Sequence, residues 1–556
     1  MLDRLPVSKR LVRRIVIGLV AVLLCGWVCI YRFNTLGGAF GGFDNDHFLY
    51  YTMSKQVQAG EQPLRDFQDA MHGAWPSLTY ELSAAAQRYF GNNLRSEAWL
   101  TVGGVALGTS IAFVAGSLVG AWPWALATAL LSALLSPKLY GYPKVLVTAV
   151  AALLIVSCTA LPTWSRVALF AVWTAIAFLF RHDYAVYCAI GFVALIALSG
   201  QASWRERIQR VAAYGVLTVV LLGPSLWWIQ RYRGLTEYVR NGLEISGAES
   251  ERTGIGWPRF ALNDLPSLAS VFDRDENATA WIYYVSLSVP MLALGVAAWR
   301  RMRGTSNDDE RAAALVALSL MTLLLSHFFL RGNLAGRFGD AGAPLAVLGA
   351  YLLSLATAQR AWMRPITAAV ATLAIAVLAI TVVGTWQLDS VTSELRTARL
   401  LEPGDIVDRA RRASQELAEM PRSLRESQAN GPMQASDYLH RCTRPTDRVI
   451  AVGYYPDVPG FSERLFAGGR VTFVIAYYRD ERYWRESIAK LDSQSVPIVL
   501  GGDELHDPRF HLLTDYLQSR YDEVGSVMIN EGSLRVLVRR GVSGTPTGPN
   551  GLPCFG

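Results

Sequence analysis

Residues 41–51 read GGFDNDHFLYY and follow closely on the first apolar run of the chain, Ile15 to Tyr31. Asp44 and Asp46 therefore sit at the edge of a bilayer, where a carboxylate is costly unless it faces water, a cation or a reacting group. Their i,i+2 spacing sends them to opposite sides of a strand, whereas a turn or helix start converges them on one ligand. The plainer reading is a helix cap, because an Asp ahead of helix-forming residues accepts from the orphan amides of the first turn. The choice depends on which side of the membrane receives the other unusual residues.

Composition establishes the membrane. The 556 residues are 52% hydrophobic and only 17% charged. Apolar runs of about 17 to 20 residues recur until about residue 385, each long enough to cross a ~30 Å hydrocarbon core. The net charge of +7 comes from arginines in short loops between spans, so it signals orientation and headgroup contact, with no nucleic-acid partner. Six cysteines are too few for a disulfide framework. Cys25, Cys29, Cys158 and Cys188 fall in apolar runs; Cys442 and Cys554 lie in the tail and can pair if it faces an oxidising compartment.

Taken in order, Arg4 to Arg14 is basic and Ile15 to Tyr31 is too long for a usual signal peptide, so it reads as span 1 with the amino terminus inside. A polar excursion fills 32–98. Within it 46–58 is helical by pattern, and His72 to Gly91 suits an amphipathic helix in the interface. Further spans are expected near 99–120, 125–135, 145–161, 166–180, 184–199, 211–229, 280–298, 312–330, 342–357 and 365–385, making about eleven transmembrane helices. Loops 200–210, 299–311 and 358–364 carry the arginine clusters and belong inside. The excursion, SPKLYGYPK (136–144), RHDY (181–184), the 230–279 loop, RGNLAGRFGD (331–340) and the tail then share the outer face. After a helical linker at 386–440, apolar runs at 449–453, 471–476, 496–502 and 524–529 alternate with helical stretches near 480–491 and 507–520. This predicts an α/β domain over 441–540, with a disordered end over 541–556. The fold class is thus an α-helical polytopic membrane protein, 1–385, with an extracytoplasmic α/β domain.

The outer face gathers acids and cations. A lipid phosphate in the outer leaflet requires charge-assisted donors, and Lys138, Lys144, Arg181, Arg331 and Arg337 are the candidates. His47, His72, Tyr142, His182 and Asp183 are candidates to touch substrate, and Asp44 or Asp46 to act as base on a hydroxyl. Each has a plainer role: the lysines snorkel to headgroups, Arg331 and Arg337 end spans, and Arg181 pairs with Asp183. His47 and His72 lack zinc-ligand spacing, and no GxSxG, CxxC or phosphate-loop pattern occurs.

An acidic pair after span 1, a long first outer loop and an extracytoplasmic tail together resemble the GT-C glycosyltransferases. The nearest members are bacterial ones like the protein O-mannosyltransferases and the lipid A aminoarabinose transferases. HGAWPSLTYELSAAAQRYFG (72–91) is similar to the segment after their first acidic motif, with Pro76 and Leu78 matching while Trp75 and Ser77 depart. GRFGDAGAPLAVL (336–348) resembles their Arg-Tyr…Pro segment. The resemblance implies a fold over roughly residues 10–385 and a polyprenyl-phosphate-linked sugar as donor. It also implies an acceptor hydroxyl on a glycan, lipid or protein, and inversion at the sugar. It assigns Asp44 as base, Asp46 as its assistant or as a metal ligand, and Lys138, Arg181 and Arg337 to the lipid phosphate; Asp183 matches a second acid loosely. Some members take a divalent cation (Mg or Mn), others none. The implied location is a bacterial inner membrane, amino terminus cytoplasmic and tail extracytoplasmic.

Two other readings compete. An O-antigen ligase or polymerase also uses lipid-linked glycans, but such proteins place their large outer loop late in the chain. A lipid-linked sugar transporter predicts charges midway along spans and broken helices, which these spans largely lack.

Overall fold

The structure, a computed structural model, describes residues 7–36, 45–68, 77–134, 144–158, 161–199, 203–253, 256–261, 275–303, 306–328, 338–357, 406–427, 431, 433–474, 480–529 and 532–555. The chain divides into two compact units: residues 1–37, 101–223 and 253–413 form the first, and 38–100, 224–252 and 414–556 the second.

The apolar runs are helices because a bilayer leaves no water to satisfy a backbone, and a helix pairs its amides internally. Five are long and apolar enough to cross a membrane: Leu11–Asn34, Leu94–Val119, Trp204–Tyr232, Thr279–Met302 and Gly339–Thr357. Lys144–Val156, Trp164–Phe180, His182–Leu198 and Arg311–His327 are shorter and apolar, as is Trp122–Leu134. These account for ten of the expected spans; the run at 365–385 lies outside the described residues.

In the first unit the helices connect up and down. Arg166 Nη1 donates to Ser157 O at 2.9 Å and Trp173 Nε1 to Val147 O at 3.1 Å, so Trp164–Phe180 runs antiparallel to Lys144–Val156. Helix Phe338–Thr357 runs antiparallel to Trp122–Leu134, with Trp124 Nε1 donating to Thr357 Oγ1 at 3.0 Å and Ala121 N to Ser354 Oγ at 2.7 Å. Their seam is lined by alanine, glycine, serine and threonine, the residues that allow close backbone approach where lipid gives no hydrophobic drive. One end of this bundle therefore collects Leu134, Lys144, Phe180 and Phe338.

The second unit is built on a five-stranded sheet of order β2-β1-β3-β5-β4, where β1 is Arg448–Val452, β2 Leu465–Phe466, β3 Ile498–Gly501, β4 Tyr521–Ile529 and β5 Gly532–Arg539. β1 pairs parallel with β2 and β3, and β5 pairs antiparallel with β3 and β4. Alternate residues of β1 feed two cores. Ile450 and Val452 pack under Trp484, Leu491, Leu513 and Leu517, and Val449 and Ala451 under Tyr438, Leu439 and Val458. The sheet is covered on both faces.

Two expectations are corrected. The run at 471–476 is not a strand where it is described: Val471, Thr472 and Phe473 are all buried, so that stretch threads between sheet and helix and does not alternate between faces. The end of the chain, expected to be disordered from 541, is ordered through residue 555. Thr545 and Cys554 exchange backbone hydrogen bonds, Leu552 and Phe555 are buried, and Cys554 is disulfide-bonded to Cys442, Cα–Cα 4.1 Å. Glycine and proline misled the reading because anchoring came from contacts 112 residues away.

The first excursion belongs to this second unit. Helices Asn45–Gln58 and Ser77–Phe90 pack on each other, and the former lies on helix Asp457–Ser462. Thr52 Oγ1 donates to Pro456 O at 2.7 Å, Lys55 Nζ to Gly460 O at 2.7 Å and Gln56 Nε2 to Phe466 O at 3.0 Å. Phe48 meets Phe461 edge-on at 5.0 Å. The segment Leu235–Thr253 joins them, with Asn241 Oδ1 accepting from Tyr483 Oη at 2.7 Å and Arg482 Nη2 at 2.9 Å. Excursion and tail, some 400 residues apart in sequence, form one body.

Candidate functional site

In the first unit the polar groups concentrate at the bundle end named above. Lys144, the first residue of its helix, places Nζ 3.3 Å from Asp340 Oδ2, and both side chains are buried. Asp340 occupies the first turn of Phe338–Thr357, where a carboxylate meets the positive end of the helix dipole. Arg181 is the extended residue between two helices; its Nε donates to both Asp183 oxygens at 2.8 and 2.9 Å. Arg32, at the end of the first helix, is buried and donates from Nη2 to Ala133 O at 2.5 Å. In the sequence Arg32 fell at the start of the polar excursion and was not singled out. The groups named here, Arg32, Arg181 and Lys144 against Asp183 and Asp340, leave this bundle end with one net positive charge, a surplus that favours an anion over a cation. His182 opens helix His182–Leu198 beside Arg181 and Asp183.

In the second unit, helix Asn45–Gln58 carries Asp46 in its first turn, followed by His47, which is buried. Glu97, fully buried, accepts from Ser83 Oγ and, at 3.1 Å, from Gln87 Nε2. Gln87 also donates to Ser54 Oγ, so this polar knot ties both excursion helices to the start of Leu94–Val119. The sequence reading missed Glu97 because an acid at the start of a long apolar helix looks like an ordinary dipole-compensating residue. Asp44, His72, Lys138, Tyr142, Arg331 and Arg337, and the side chain of Asp46, lie outside the described residues. Among the described residues no group of three His, Cys, Asp or Glu is placed to hold a metal.

One neighbour of this knot titrates unusually. Lys55 is buried, stands 4.4 Å above the Tyr51 ring and donates to Gly460 O. Burial pulls its ammonium down to about 7, with Arg425 adding to the fall and Glu463 opposing it. A folded-state value below the unfolded one means that between about 7 and the ordinary lysine value the unfolded chain binds the extra proton. Stability contributed at this position therefore rises as pH climbs from about 7 towards 10 and is lowest below 7. Replacing Lys55 with Met is expected to flatten that rise. Thermal melts of both proteins in detergent at pH 6.5, 8 and 9.5 check it: the wild-type melting temperature should gain on that of Lys55→Met across the series, and parallel curves would refute the burial argument.

No protein-family model matches the sequence, and neither does any curated protein. Solved structures do match. ArnT from Cupriavidus metallidurans, crystallised with undecaprenyl phosphate, aligns over 95% of this chain and 99% of its own at a TM-score of 0.51 and 12% identity. The archaeal oligosaccharyltransferase AglB from Archaeoglobus fulgidus, in complex with an inhibitory peptide and a dolichol-phosphate, aligns over 94% of this chain and 74% of its own at a TM-score of 0.45 and 12% identity. At such identity the likeness is one of fold. The chain has the fold of ArnT, with a small sheet domain at its carboxyl end.

Proposed function

We propose that this chain is an inverting glycosyltransferase that moves a sugar from a polyprenyl-phosphate donor to a hydroxyl on a glycan, lipid or protein. The observation that carries the reading is the near full-length alignment with ArnT, a protein seen holding undecaprenyl phosphate. The cations and the buried ion pair at one bundle end, and separately the five helices able to cross a membrane, support it. The arginine-rich loops favour a cytoplasmic amino terminus with the excursion and tail on the opposite side, and in this reading the membrane is a bacterial inner membrane.

In this reading Asp44 takes the proton of the acceptor hydroxyl. The oxygen bonds to the anomeric carbon from the face opposite the phosphate, and the carbon–phosphate-oxygen bond breaks with its electron pair leaving on polyprenyl phosphate. Arg181, Lys144, Lys138, Arg331 and Arg337 stabilise that departing dianion, which gains most from cations where water is thin. Asp46 orients the base or shares a divalent cation with it. His47, His72, Tyr142, His182 and Asp183 line the approach of sugar and acceptor.

The test offers the purified protein a panel of undecaprenyl-phosphate hexoses and pentoses in detergent, with envelope extract as acceptor, with and without EDTA. Release of free undecaprenyl phosphate is measured by mass spectrometry. Release with one donor is the expected result, and the EDTA arm decides the metal. Silence across the panel from a folded protein would overturn the reading.

A further inference from the structure

The end of the first unit away from Lys144 and Arg181 carries a second group of cations, which the proposed sugar transfer does not use. There helix Lys144–Val156 ends and Trp164–Phe180 begins, and His182–Leu198 ends and Trp204–Tyr232 begins. Across 157–166 and 197–210 the sequence holds four arginines, 166, 205, 207 and 210, against one acid, Glu206. That acid is already engaged. Its carboxylate accepts from Ser203 N at 3.0 Å and from Ser203 Oγ at 3.2 Å, a capping box at the start of Trp204–Tyr232.

Three of the arginines are fixed by backbone carbonyls. Arg166 Nη1 donates to Ser157 O at 2.9 Å, Arg207 Nη1 to Ala197 O at 3.1 Å and Arg210 Nη1 to Pro162 O at 2.7 Å. The first two carbonyls lie at helix C-terminal ends, where the helix itself supplies no amide. A guanidinium has five N–H donors in a planar fork that matches phosphate, so one pinned nitrogen positions the group without consuming it. Arg166 and Arg205 are exposed, and Arg207 and Arg210 are half-buried. Tryptophans frame the cluster. Trp164 and Trp204 open their helices and are 54% and 70% exposed, and exposed tryptophan at a helix end marks the headgroup level of a membrane. Arg210 Cζ stands 5.5 Å from the centroid of the Trp164 ring. Beyond Trp204 the same helix, one of the five able to cross a membrane, exposes Ile208, Val216 and Val219. Residues 204–223 belong to the first unit.

We infer that this end of the bundle binds an anionic phospholipid, its headgroup phosphate held by Arg166, Arg205, Arg207 and Arg210 and an acyl chain lying along helix Trp204–Tyr232. Cations at headgroup level beside exposed apolar helix match a molecule with an anionic head and hydrocarbon tails. A zwitterionic headgroup carries its own ammonium, which the same arginines repel, so the site selects by charge. It is separate from the place of the donor phosphate. Helix Trp164–Phe180 has 17 residues, so Arg166 and Arg181 stand at opposite ends of a rod about 25 Å long. Binding of this lipid does not depend on sugar transfer.

The test is native mass spectrometry of the delipidated full-length protein in detergent, titrated with dioleoyl phosphatidylglycerol or dioleoyl phosphatidylcholine. Phosphatidylglycerol is expected to bind at about tenfold lower concentration, a preference that falls to about twofold or less in Arg166→Gln/Arg210→Gln. Arg205→Gln, at an exposed position and milder for folding, should lower the preference about threefold. Arg422→Gln/Arg485→Gln removes the same charge from exposed positions of the second unit and should keep the preference. Equal binding of the two lipids by the wild type, an unmoved preference in folded variants, or an equal loss in the control pair would overturn the site. Full displacement of phosphatidylglycerol by inorganic phosphate would overturn it too, because the arginines would then serve a free anion. Undecaprenyl phosphate should bind Arg166→Gln/Arg210→Gln as it binds the wild type; a matching loss would assign these arginines to the donor and overturn a separate lipid site.

Discussion

Asp44→Asn is expected to lower donor turnover by about 10²–10⁴-fold while leaving the protein folded and donor affinity nearly unchanged, the range a positioned general base contributes. The substitution is chosen to separate chemistry from capping. Asp44 immediately precedes helix Asn45–Gln58 in the sequence, and asparagine caps a helix about as well as aspartate. If Asp44 only capped, Asn would serve, and both melting temperature and turnover would stay put. If Asp44 removes the acceptor proton, Asn keeps the shape and loses the reaction. Free polyprenyl phosphate released per minute, beside a melting curve, distinguishes the outcomes. Asp44→Ala is the companion: it should cost both activity and, through the lost cap, about 1 kcal/mol of stability. Turnover that survives Asp44→Asn would leave the fold-based reading in place and move the base elsewhere, with Asp46 next.

The parts of this fold legible in the sequence are those set by local patterning. Each long apolar run among the described residues became a helix within about eight residues of its expected ends, because bilayer thickness and backbone pairing leave little alternative. Three of the four apolar runs in the tail became strands for a similar reason. β5, GSLRVLVR, escaped notice although it is the strand that joins β3 to β4. Its arginines at 535 and 539 interrupt the apolar run, and only the sheet order shows that it lies inside the sheet. The same division holds at the site. Arg181 and Asp183 are two residues apart and their pairing is a local fact of a tight junction. Lys144 and Asp340 lie 196 residues apart, and no spacing rule joins them. Glu97 and Arg32 were passed over because their meaning comes from burial. An acid or arginine in a row of letters carries no sign of whether its partners are water or a folded chain. The excursion and tail likewise read as separate pieces, and their union rests on side chains such as Thr52, Lys55 and Gln56 reaching backbone carbonyls about 400 residues on.

The second large effect is expected at the Lys144–Asp340 pair. Both side chains are almost wholly buried, 4% and 3% exposed. Removing one partner leaves the other charge buried and unmatched, which costs about 3–5 kcal/mol. Lys144→Met and Asp340→Leu are therefore each expected to lower the melting temperature sharply or to abolish recovery of folded protein. The double variant removes both charges together, and replacing a buried pair by apolar residues of similar volume is commonly neutral or stabilising. The double protein should fold, and the non-additivity of the three melting temperatures measures the pairing directly. Its turnover then decides what the pair is for. A purely structural pair predicts near wild-type release of polyprenyl phosphate once folding is restored. A pair that stabilises the departing phosphate predicts a folded protein with turnover cut by 10²-fold or more, since a positioned cation acts on charge developed in the transition state. The latter follows from the proposal, because Lys144 stands at the bundle end shared with Arg32 and Arg181. Lys144→Arg refines it: arginine keeps the charge in a bulkier, planar group, so a phosphate contact should be partly retained while the tight 3.3 Å approach to Asp340 is disturbed. A double variant with full activity would return Lys144 to the scaffold and leave Arg181 as the described cation on which the leaving group depends.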